Sequence, residues 1–369
     1  MRTPRLLDSR LPLVAAPMAG GPSSVELAAS VAAAGAFPFL AGGMQTAEGL
    51  AAQIERLRPS ARSFGVNLFV PGRASLDAQT RAEFAAYAAE LQPEAERYGL
   101  RLDPEPAIDD DAWGEKLALL IADPVPVVSL TFGLPDPADI AALQRAGSRV
   151  LASVTSPAEA RAAARTGVDG LVVQGAGAGG HSAVHEPART PDGGRDAGSD
   201  PGSAGVGGTV PGAAEPGPET TVALVRAVRD AVDLPVIAAG GVDGPGAVRD
   251  LLASGAESVA VGTLLLRAAE SGASAAHRAA IADPAFTETV VTRAFTGRPA
   301  RSLRNRFADA HGATAPVAYP AVHHLTRALR QAAGRAGDTD TLHLWAGTGF
   351  RAAREAPAAE IIAWLASEL

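Results

Sequence analysis

Short apolar runs that lack alternating polarity recur along the chain, and each is followed by a Gly-rich or polar turn and then by an Ala-rich helical stretch. Strands without alternation are typical of a parallel sheet that is buried on both faces. There are eight such runs, at residues 11–18, 36–40, 64–70, 126–132, 149–154, 170–175, 235–241 and 258–263. Eight strands with helical crossovers predict an α/β fold, a (β/α)8 TIM barrel.

The stretches between the runs carry helix end signals. Residues 156–167 begin with a Ser N-cap, have Pro at the first helical position and Glu159 at the capping-box position, and stop at Gly167. An open doubly wound sheet is the competing fold. No Gly-rich dinucleotide fingerprint follows the first run, which counts against that alternative.

Three segments do not follow this alternation of strands and helices. Residues 72–122 hold polar helical stretches where one crossover would suffice, which predicts a helical insertion beside the barrel. Residues 187–218 contain 9 Gly and 6 Pro but no Leu, Ile, Met or aromatic residue, so we expect a flexible loop that buries too little surface to order itself. Residues 1–270 are thus assigned to the barrel, and residues 271–369 to a mainly helical C-terminal extension packed on it.

Composition and charge narrow the possible functions. Cysteine is absent, which excludes disulfides, thiolate nucleophiles and iron–sulfur clusters. The chain has 32 Lys and Arg against 40 Asp and Glu, a net charge of −8, so its surface repels nucleic-acid phosphates. Lys116 is the only lysine available to form a Schiff base.

Two segments resemble targeting signals. The first 21 residues place basic residues before an apolar run, but Asp8 and Arg10 interrupt the region where a secretory core is continuous, so a buried first strand is expected. Between Glu26 and Glu48 lie 21 uncharged residues, mainly Ala and Gly with Pro38 among them, which a helix followed by a strand explains better than a membrane span. We expect a cytoplasmic protein that binds neither membranes nor nucleic acid.

The C-terminal ends of the predicted strands are Gly-rich and polar, and these ends carry the active site in barrels of this type. The last two strands end in AAGG and VGT. The backbone N–H groups near Gly240, Gly241, Gly262 and Thr263 are placed to bind a phosphate group.

Other strand ends suit a flat ring. The small residues and fixed backbone at Ala16, Pro17 and Met18 allow a planar group to approach closely. Asn67 and Gln174 supply amides that can read the edge of such a ring, although they can equally satisfy backbone groups at the strand ends.

His181 is the candidate catalytic residue. It follows a predicted strand through VQGAGAGGH, a loop whose glycines permit close contact with a ligand. Its imidazole suits proton removal from a carbon acid or pairing with an anionic substrate. By contrast, His185 lies in a polar run, and His323 and His324 are expected to be exposed on a helix.

The remaining chemistry is sparse. The five arginines of residues 290–307 are expected at the surface in ion pairs, with anion binding as the alternative. No His, Asp or Glu spacing predicts a metal site, and no nucleophile elbow indicates a serine triad. A phosphate, a planar group and one base together describe a flavin mononucleotide (FMN) site.

At these residues the chain resembles the nitronate monooxygenases, once called 2-nitropropane dioxygenases. The similar motifs are PLVAAPMAGG, FGVNLFVP, VVSLTFGLP, VQGAGAGGH, PVIAAGGV and VGT in that order, with TRAFTGRPAR and LWAGTG near the C-terminus. Two features depart from the family pattern. Gly177 stands where an acid is common, and the insertion at 187–218 is unusually long; both departures lie beside the predicted substrate site.

The resemblance implies an FMN-dependent barrel that oxidises alkyl nitronates, or nitroalkanes, with O2 to a carbonyl compound and nitrite. It implies that His181 is the active-site histidine, and it is compatible with a homodimer. The cofactor-binding positions that it implies are Ala16, Pro17, Met18, Asn67, Gln174, Gly179 and Gly180, with the phosphate near Gly240, Gly241, Gly262 and Thr263.

Three alternatives stay open. Flavin-dependent enoyl-acyl-carrier-protein reductases resemble the same pattern, including the GGH loop, but use a nicotinamide nucleotide. A flavin-free barrel acting on a sugar phosphate is the second alternative. The third is a non-catalytic flavin-binding module in which Gly177 and the long loop mark lost activity.

Overall fold

The computed structural model describes residues 6–72, 75–189 and 218–369. Within them the strands are, in chain order, β1 (Leu13–Ala15), β2 (Phe37–Ala41), β3 (Gly65–Phe69), β4 (Val127–Thr131), β5 (Arg149–Val154), β6 (Gly170–Gln174), β7 (Gly180–His181), β8 (Val236–Ala239), β9 (Ser258–Val261), β10 (Thr289–Thr292) and β11 (Ala300–Leu303). Strands β1–β6, β8 and β9 are parallel and close into a barrel, because β9 pairs with β1. The predicted (β/α)8 barrel is therefore confirmed, and the open sheet is wrong.

Helices cover the outside of the barrel and extend beyond it. They are α1 (Val25–Ala33), α2 (Ala47–Leu57), α3 (Ala78–Glu96), α4 (Trp113–Ala122), α5 (Pro137–Ala146), α6 (Pro157–Arg165), α7 (Pro218–Ala231), α8 (Pro245–Ala253), α9 (Ala275–Ala282), α10 (Arg306–His311), α11 (Ala321–Ala336) and α12 (Ala358–Leu365). The predicted cap is present in α6, where the Ser156 side chain accepts a hydrogen bond from the Glu159 N–H.

The two segments that resemble targeting signals fold as barrel elements. The first apolar run forms β1, which is buried throughout, and the uncharged stretch after Glu26 forms most of α1 and all of β2. Across the described ranges, no helix combines the length and apolarity that a membrane crossing requires.

The barrel interior is layered. Its lower part is filled by a cluster of buried apolar side chains to which the N-terminal segment contributes Leu6 and Leu7. The other buried members are Val14, Phe37, Phe39, Val127, Leu151, Ile237 and Ala260. The barrel is therefore closed at the end where its strands begin, and ligands have access from the end where the strands finish.

A second core lies beside the barrel. Helix α3 of the insertion packs against α10, α11 and the segment before β11, and the Tyr87 hydroxyl donates to the Ala294 carbonyl at 2.7 Å. The largest buried side chains here are Phe84, Tyr87, Leu91, Phe295, Phe307 and Leu329. The insertion and the C-terminal extension thus share one core, although they are separated by more than half of the barrel in sequence.

A small sheet that the sequence did not predict joins the extension to the barrel. Strands β10, β11 and β7 form a three-stranded antiparallel sheet in which Ala300 lies opposite His181. This pairing ties the segment that carries His181 to the extension. The flexible loop predicted at 187–218 falls almost entirely on residues 190–217, which lie outside the described residues.

Candidate active site

A cavity of about 1260 Å3 opens at the C-terminal ends of the barrel strands. Ligand sites usually measure ~300–1,000 Å3, so there is room for a large cofactor and a small substrate together. All twelve residues singled out from the sequence lie on its wall: Ala16, Pro17, Met18, Asn67, Gln174, Gly179, Gly180, His181, Gly240, Gly241, Gly262 and Thr263.

The ends of β8 and β9 present free backbone donors to the cavity. Gly240 and Gly241 adopt positive φ angles of 106° and 75°, conformations that favour glycine. Within the described ranges, the N–H groups of Gly241, Gly262 and Thr263 donate no hydrogen bond to the protein. Three unused N–H donors beside each other at two strand ends suit the oxygens of a phosphate.

The C-terminal segment at residues 344–349 closes this end of the cavity. The Gly347 N–H donates to Thr263 Oγ1 at 2.9 Å, and the Thr348 N–H donates to the Gly177 carbonyl at 3.0 Å. A Cβ on Gly179 would lie 2.4 Å from the Gly347 nitrogen, so the two backbones can meet only because this residue is glycine. Sequence reasoning missed Gly347 as a wall residue, although it lies in the LWAGTG motif.

The two amides have different surroundings. Asn67 is buried on β3, and its Nδ2 donates to Ser129 Oγ and Thr131 Oγ1, both at 2.9 Å. Gln174 holds the loop around the candidate histidine, since its Nε2 donates to the His181 carbonyl at 3.1 Å and its Oε1 accepts from the Ala183 N–H at 2.7 Å. Both ends of the Gln174 amide are thus bound to the backbone at and just after His181.

Three aromatic side chains surround the His181 ring. The ring centroids of Phe132, Tyr319 and Trp345 lie 5.6, 5.8 and 5.4 Å from the imidazole centroid. Burial, followed by the positive charges of Arg298 and Arg330, lowers the pKa of His181 to about 3. The imidazole is therefore neutral near pH 7.

Two arginines are buried near this histidine, and for Arg298 the expected surface position is wrong. Arg298 is 4% exposed, lies 4.0 Å from the Phe132 ring centre and donates to the Ser182 and Val184 carbonyls. Arg330 on α11 is 7% exposed, lines the cavity and donates to Thr326 Oγ1 and the His323 carbonyl. Neither guanidinium forms an ion pair with a carboxylate in the described part of the chain.

The other arginines of residues 290–307 include both buried and surface side chains. Arg301 is also buried, and it donates to the Ala176 carbonyl, contrary to expectation. Arg304 pairs with Glu288 and Asp309 at the surface. Arg301 lies within the buried strand β11, whereas Arg304 comes directly after the last residue of that strand. The sequence carries no signal for the strand pairing that separates them.

The histidines of α11 were expected to be exposed, and this is wrong. His323 is 8% exposed, and both His323 and His324 line the cavity, because α11 forms its wall. Burial, followed by the Arg330 charge, lowers the pKa of His323 to about 2. His324 Nε2 lies 3.0 Å from Asp109 Oδ2, which joins α11 to the insertion across the cavity.

The backbone around the cavity is strained. Four residues other than glycine have positive φ angles in the described ranges, namely Met44, Asp111, Ala112 and Phe132, and all four line the cavity. The Asp111 carboxylate accepts a hydrogen bond from the Met44 N–H and forms an ion pair with buried Lys116, each at 2.9 Å. Strain of this kind collects at functional sites, where the surrounding structure maintains it.

A closed barrel whose strand ends surround a large cavity is the architecture of a barrel enzyme. On the wall of this cavity stand a neutral imidazole and a buried cation that has no carboxylate partner among the described residues. The family model for nitronate monooxygenase matches residues 5–368. The chain belongs to the nitronate monooxygenase family and is an oxidoreductase.

Individual relatives agree with this placement. A nitronate monooxygenase of Pseudomonas aeruginosa is 37% identical and covers 100% of this chain and 99% of its own. A solved nitroalkane oxidase from Streptomyces ansochromogenes is 45% identical with a TM-score of 0.86, over 98% of this chain and 96% of its own. FabK from Thermotoga maritima is 25% identical with a TM-score of 0.65, over 98% and 94%.

Proposed function

We propose that this chain binds FMN and oxidises alkyl nitronates, and the nitroalkanes from which they form, with O2 to a carbonyl compound and nitrite. The observation that carries the proposal is the buried Arg330 guanidinium, which lines the cavity without a carboxylate partner in the described part of the chain. An unpaired buried cation is costly unless a ligand supplies the negative charge. A nitronate is an anion of the required sign, and the relatives named above are nitronate and nitroalkane enzymes.

The residues present fit FMN. The N–H groups of Gly241, Gly262 and Thr263, which bind no described residue, would hold its phosphate, and the close backbone contact between residues 179 and 347 encloses that end. Ala16 to Met18 and the amide of Asn67 would contact the ring system. When bound, FMN supplies the electron acceptor for the nitronate and the route from there to O2.

The protein's own contribution is electrostatic and acid–base. A neutral His181 can take a proton from the carbon of a nitroalkane. Its neutrality favours a role as general base over the alternative role, in which a protonated His181 holds the anionic nitro group. The imidazolium formed lies near Arg298 and Arg330, so the new nitronate anion offsets the added positive charge. Phe132, Tyr319 and Trp345 exclude water from the reacting atoms.

Anaerobic stopped-flow mixing of the FMN-loaded protein tests the proposal. Propionate 3-nitronate or 2-nitropropane should bleach the flavin absorbance, and admission of O2 should restore it with release of nitrite. Rapid bleaching by NAD(P)H with no response to either nitro compound would overturn the proposal in favour of a reductase. A yellow protein that responds to none of these compounds would instead indicate a binding module.

The role of His181 is tested separately by His181→Asn. Loss of a general base should lower the turnover of a neutral nitroalkane by roughly 10²- to 10⁴-fold while FMN stays bound. The preformed nitronate needs no proton removal, so its turnover should fall much less. Parental nitroalkane turnover in this variant would contradict proton abstraction by His181.

A further inference from the structure

Behind His181 lies a buried threonine. Thr296 is 1% exposed and sits in a tight turn in which its own N–H and that of Gly297 donate to the Arg293 carbonyl at 3.1 and 2.8 Å. Its Oγ1 is 2.9 Å from His181 Nε2 and 3.3 Å from the Arg298 carbonyl oxygen. His181 Nδ1 makes no hydrogen bond with any described residue and is not one of the buried atoms left without a partner.

A hydroxyl has one proton to donate, so it can serve only one of these two neighbours. If it donates to His181 Nε2, the Arg298 carbonyl loses its hydrogen bond and the proton on Nδ1 has no acceptor among the described residues. If it donates to the Arg298 carbonyl, Nε2–H donates to Thr296 and both contacts are satisfied. The second arrangement is favoured because it keeps the hydrogen bond to the carbonyl of buried Arg298, and a buried polar group that stays unpaired is costly.

We propose, on the basis of the function above, that Thr296 is a positioning residue that fixes neutral His181 as the Nε2–H tautomer, so that Nδ1 is the atom that accepts the substrate proton. The carbon–hydrogen bond next to the nitro group breaks, its electron pair moves into the nitro group to give the nitronate, and the proton forms a bond to Nδ1. No further reactant is needed for this step.

The same contacts hold the charged form of the histidine. Once Nδ1 is protonated, Nε2–H still donates to Thr296, whose own hydroxyl points toward the Arg298 carbonyl, so a chain of dipoles faces the imidazolium. The backbone is fixed from both sides, because Ala300 pairs with His181 and the Arg298 side chain donates to Ser182 and Val184. The turn that carries Thr296 thus moves as one unit with the histidine loop.

The test compares Thr296→Val, which keeps the shape but removes the hydroxyl, with Thr296→Ser, which retains it. Thr341→Val is the matched control, because it removes a buried hydroxyl that binds Asp338 away from the cavity wall. Nitrogen-15 spectra of histidine-labelled, FMN-loaded protein report the tautomer, with the His181 signals assigned by their loss in His181→Asn.

In the parental protein we expect a protonated Nε2 and an unprotonated Nδ1, and in Thr296→Val a mixture of tautomers. The ratio of kcat/KM for the nitroalkane to kcat/KM for the nitronate should fall roughly 10- to 100-fold in Thr296→Val, since the wrong tautomer impairs only the proton-transfer step. In Thr296→Ser and Thr341→Val the ratio should stay within about threefold of the parental value. A parental spectrum with the proton on Nδ1, or an unchanged ratio in Thr296→Val, would overturn the proposal. If Thr296→Val does not fold, the parental spectrum and Thr296→Ser still decide it. The spectrum decides the tautomer even where neither substrate is turned over, which separates this failure from that of the proposed function.

Discussion

Replacement of Gly179 by alanine tests how the C-terminal segment closes the cavity. An added Cβ would lie 2.4 Å from the Gly347 nitrogen and 2.5 Å from the Ala346 carbonyl carbon. Ordinary contacts begin near 3.4 Å, so the two backbones must separate by about 1 Å. Backbone atoms cannot rotate away as a side chain does, and the strain must therefore move the whole segment.

The magnitude follows from the contacts that this movement breaks. The bonds from Gly347 N–H to Thr263 Oγ1 and from Thr348 N–H to the Gly177 carbonyl, at 2.9 and 3.0 Å, would both exceed hydrogen-bond reach. Each contributes ~0.5–1.5 kcal/mol, and overpacking adds ~1–3 kcal/mol. We expect Gly179→Ala to lose roughly 2–6 kcal/mol of unfolding free energy and to bind FMN more weakly.

Equilibrium urea unfolding followed by tryptophan fluorescence measures the loss, and an FMN titration measures the affinity. Gly114→Ala is the matched control, because this glycine lies inside α4 with no atom within 4 Å of an added Cβ. That control should be neutral or stabilising by up to ~1 kcal/mol. A Gly179→Ala protein with parental stability and parental FMN affinity would refute the close backbone contact.

Two further predictions concern buried ionisable groups. Lys116→Met should cost roughly 2–4 kcal/mol of unfolding free energy, since it leaves the Asp111 carboxylate without its cation, and adding Asp111→Asn should recover part of that loss; additive losses in the double variant would count against the ion pair. Burial lowers the pKa of His277 to about 4, so between pH 6.5 and 4 the unfolded chain binds a proton that the folded chain does not, and stability falls as the pH falls. His277→Asn should reduce this slope by up to ~1.4 kcal/mol per pH unit in urea unfolding at a series of pH values, and an unchanged slope would show that His277 does not titrate there.

The barrel was predictable from sequence because its strands are buried on both faces. Such strands produce short apolar runs, and each of the eight predicted runs overlaps one observed barrel strand, although β2 extends one residue beyond its predicted run. The residues at the strand ends then follow from topology alone. This is why all twelve predicted site residues reach one cavity wall, even though they come from five different barrel strands and the loops that follow them.

The parts that were missed depend on contacts between segments distant in sequence. Strand β7 is two residues long and exists only because β11 pairs with it, so neither local pattern nor composition indicates it. The same pairing buries Arg298 and Arg301 in a run that reads as a charged surface. His323 and His324 are predicted to be exposed on a helix, but the face of α11 that carries them covers the cavity.

The most direct measurement compares FMN with riboflavin, which lacks the phosphate, in calorimetric titrations of the cofactor-free protein. If the free N–H groups at Gly241, Gly262 and Thr263 hold the phosphate, two or three charge-assisted hydrogen bonds are lost with riboflavin. At ~1.5–3 kcal/mol each, riboflavin should bind at least ~10²-fold more weakly than FMN. Equal affinity for the two flavins, or no binding of either, would contradict a flavin anchored at the ends of the last two barrel strands.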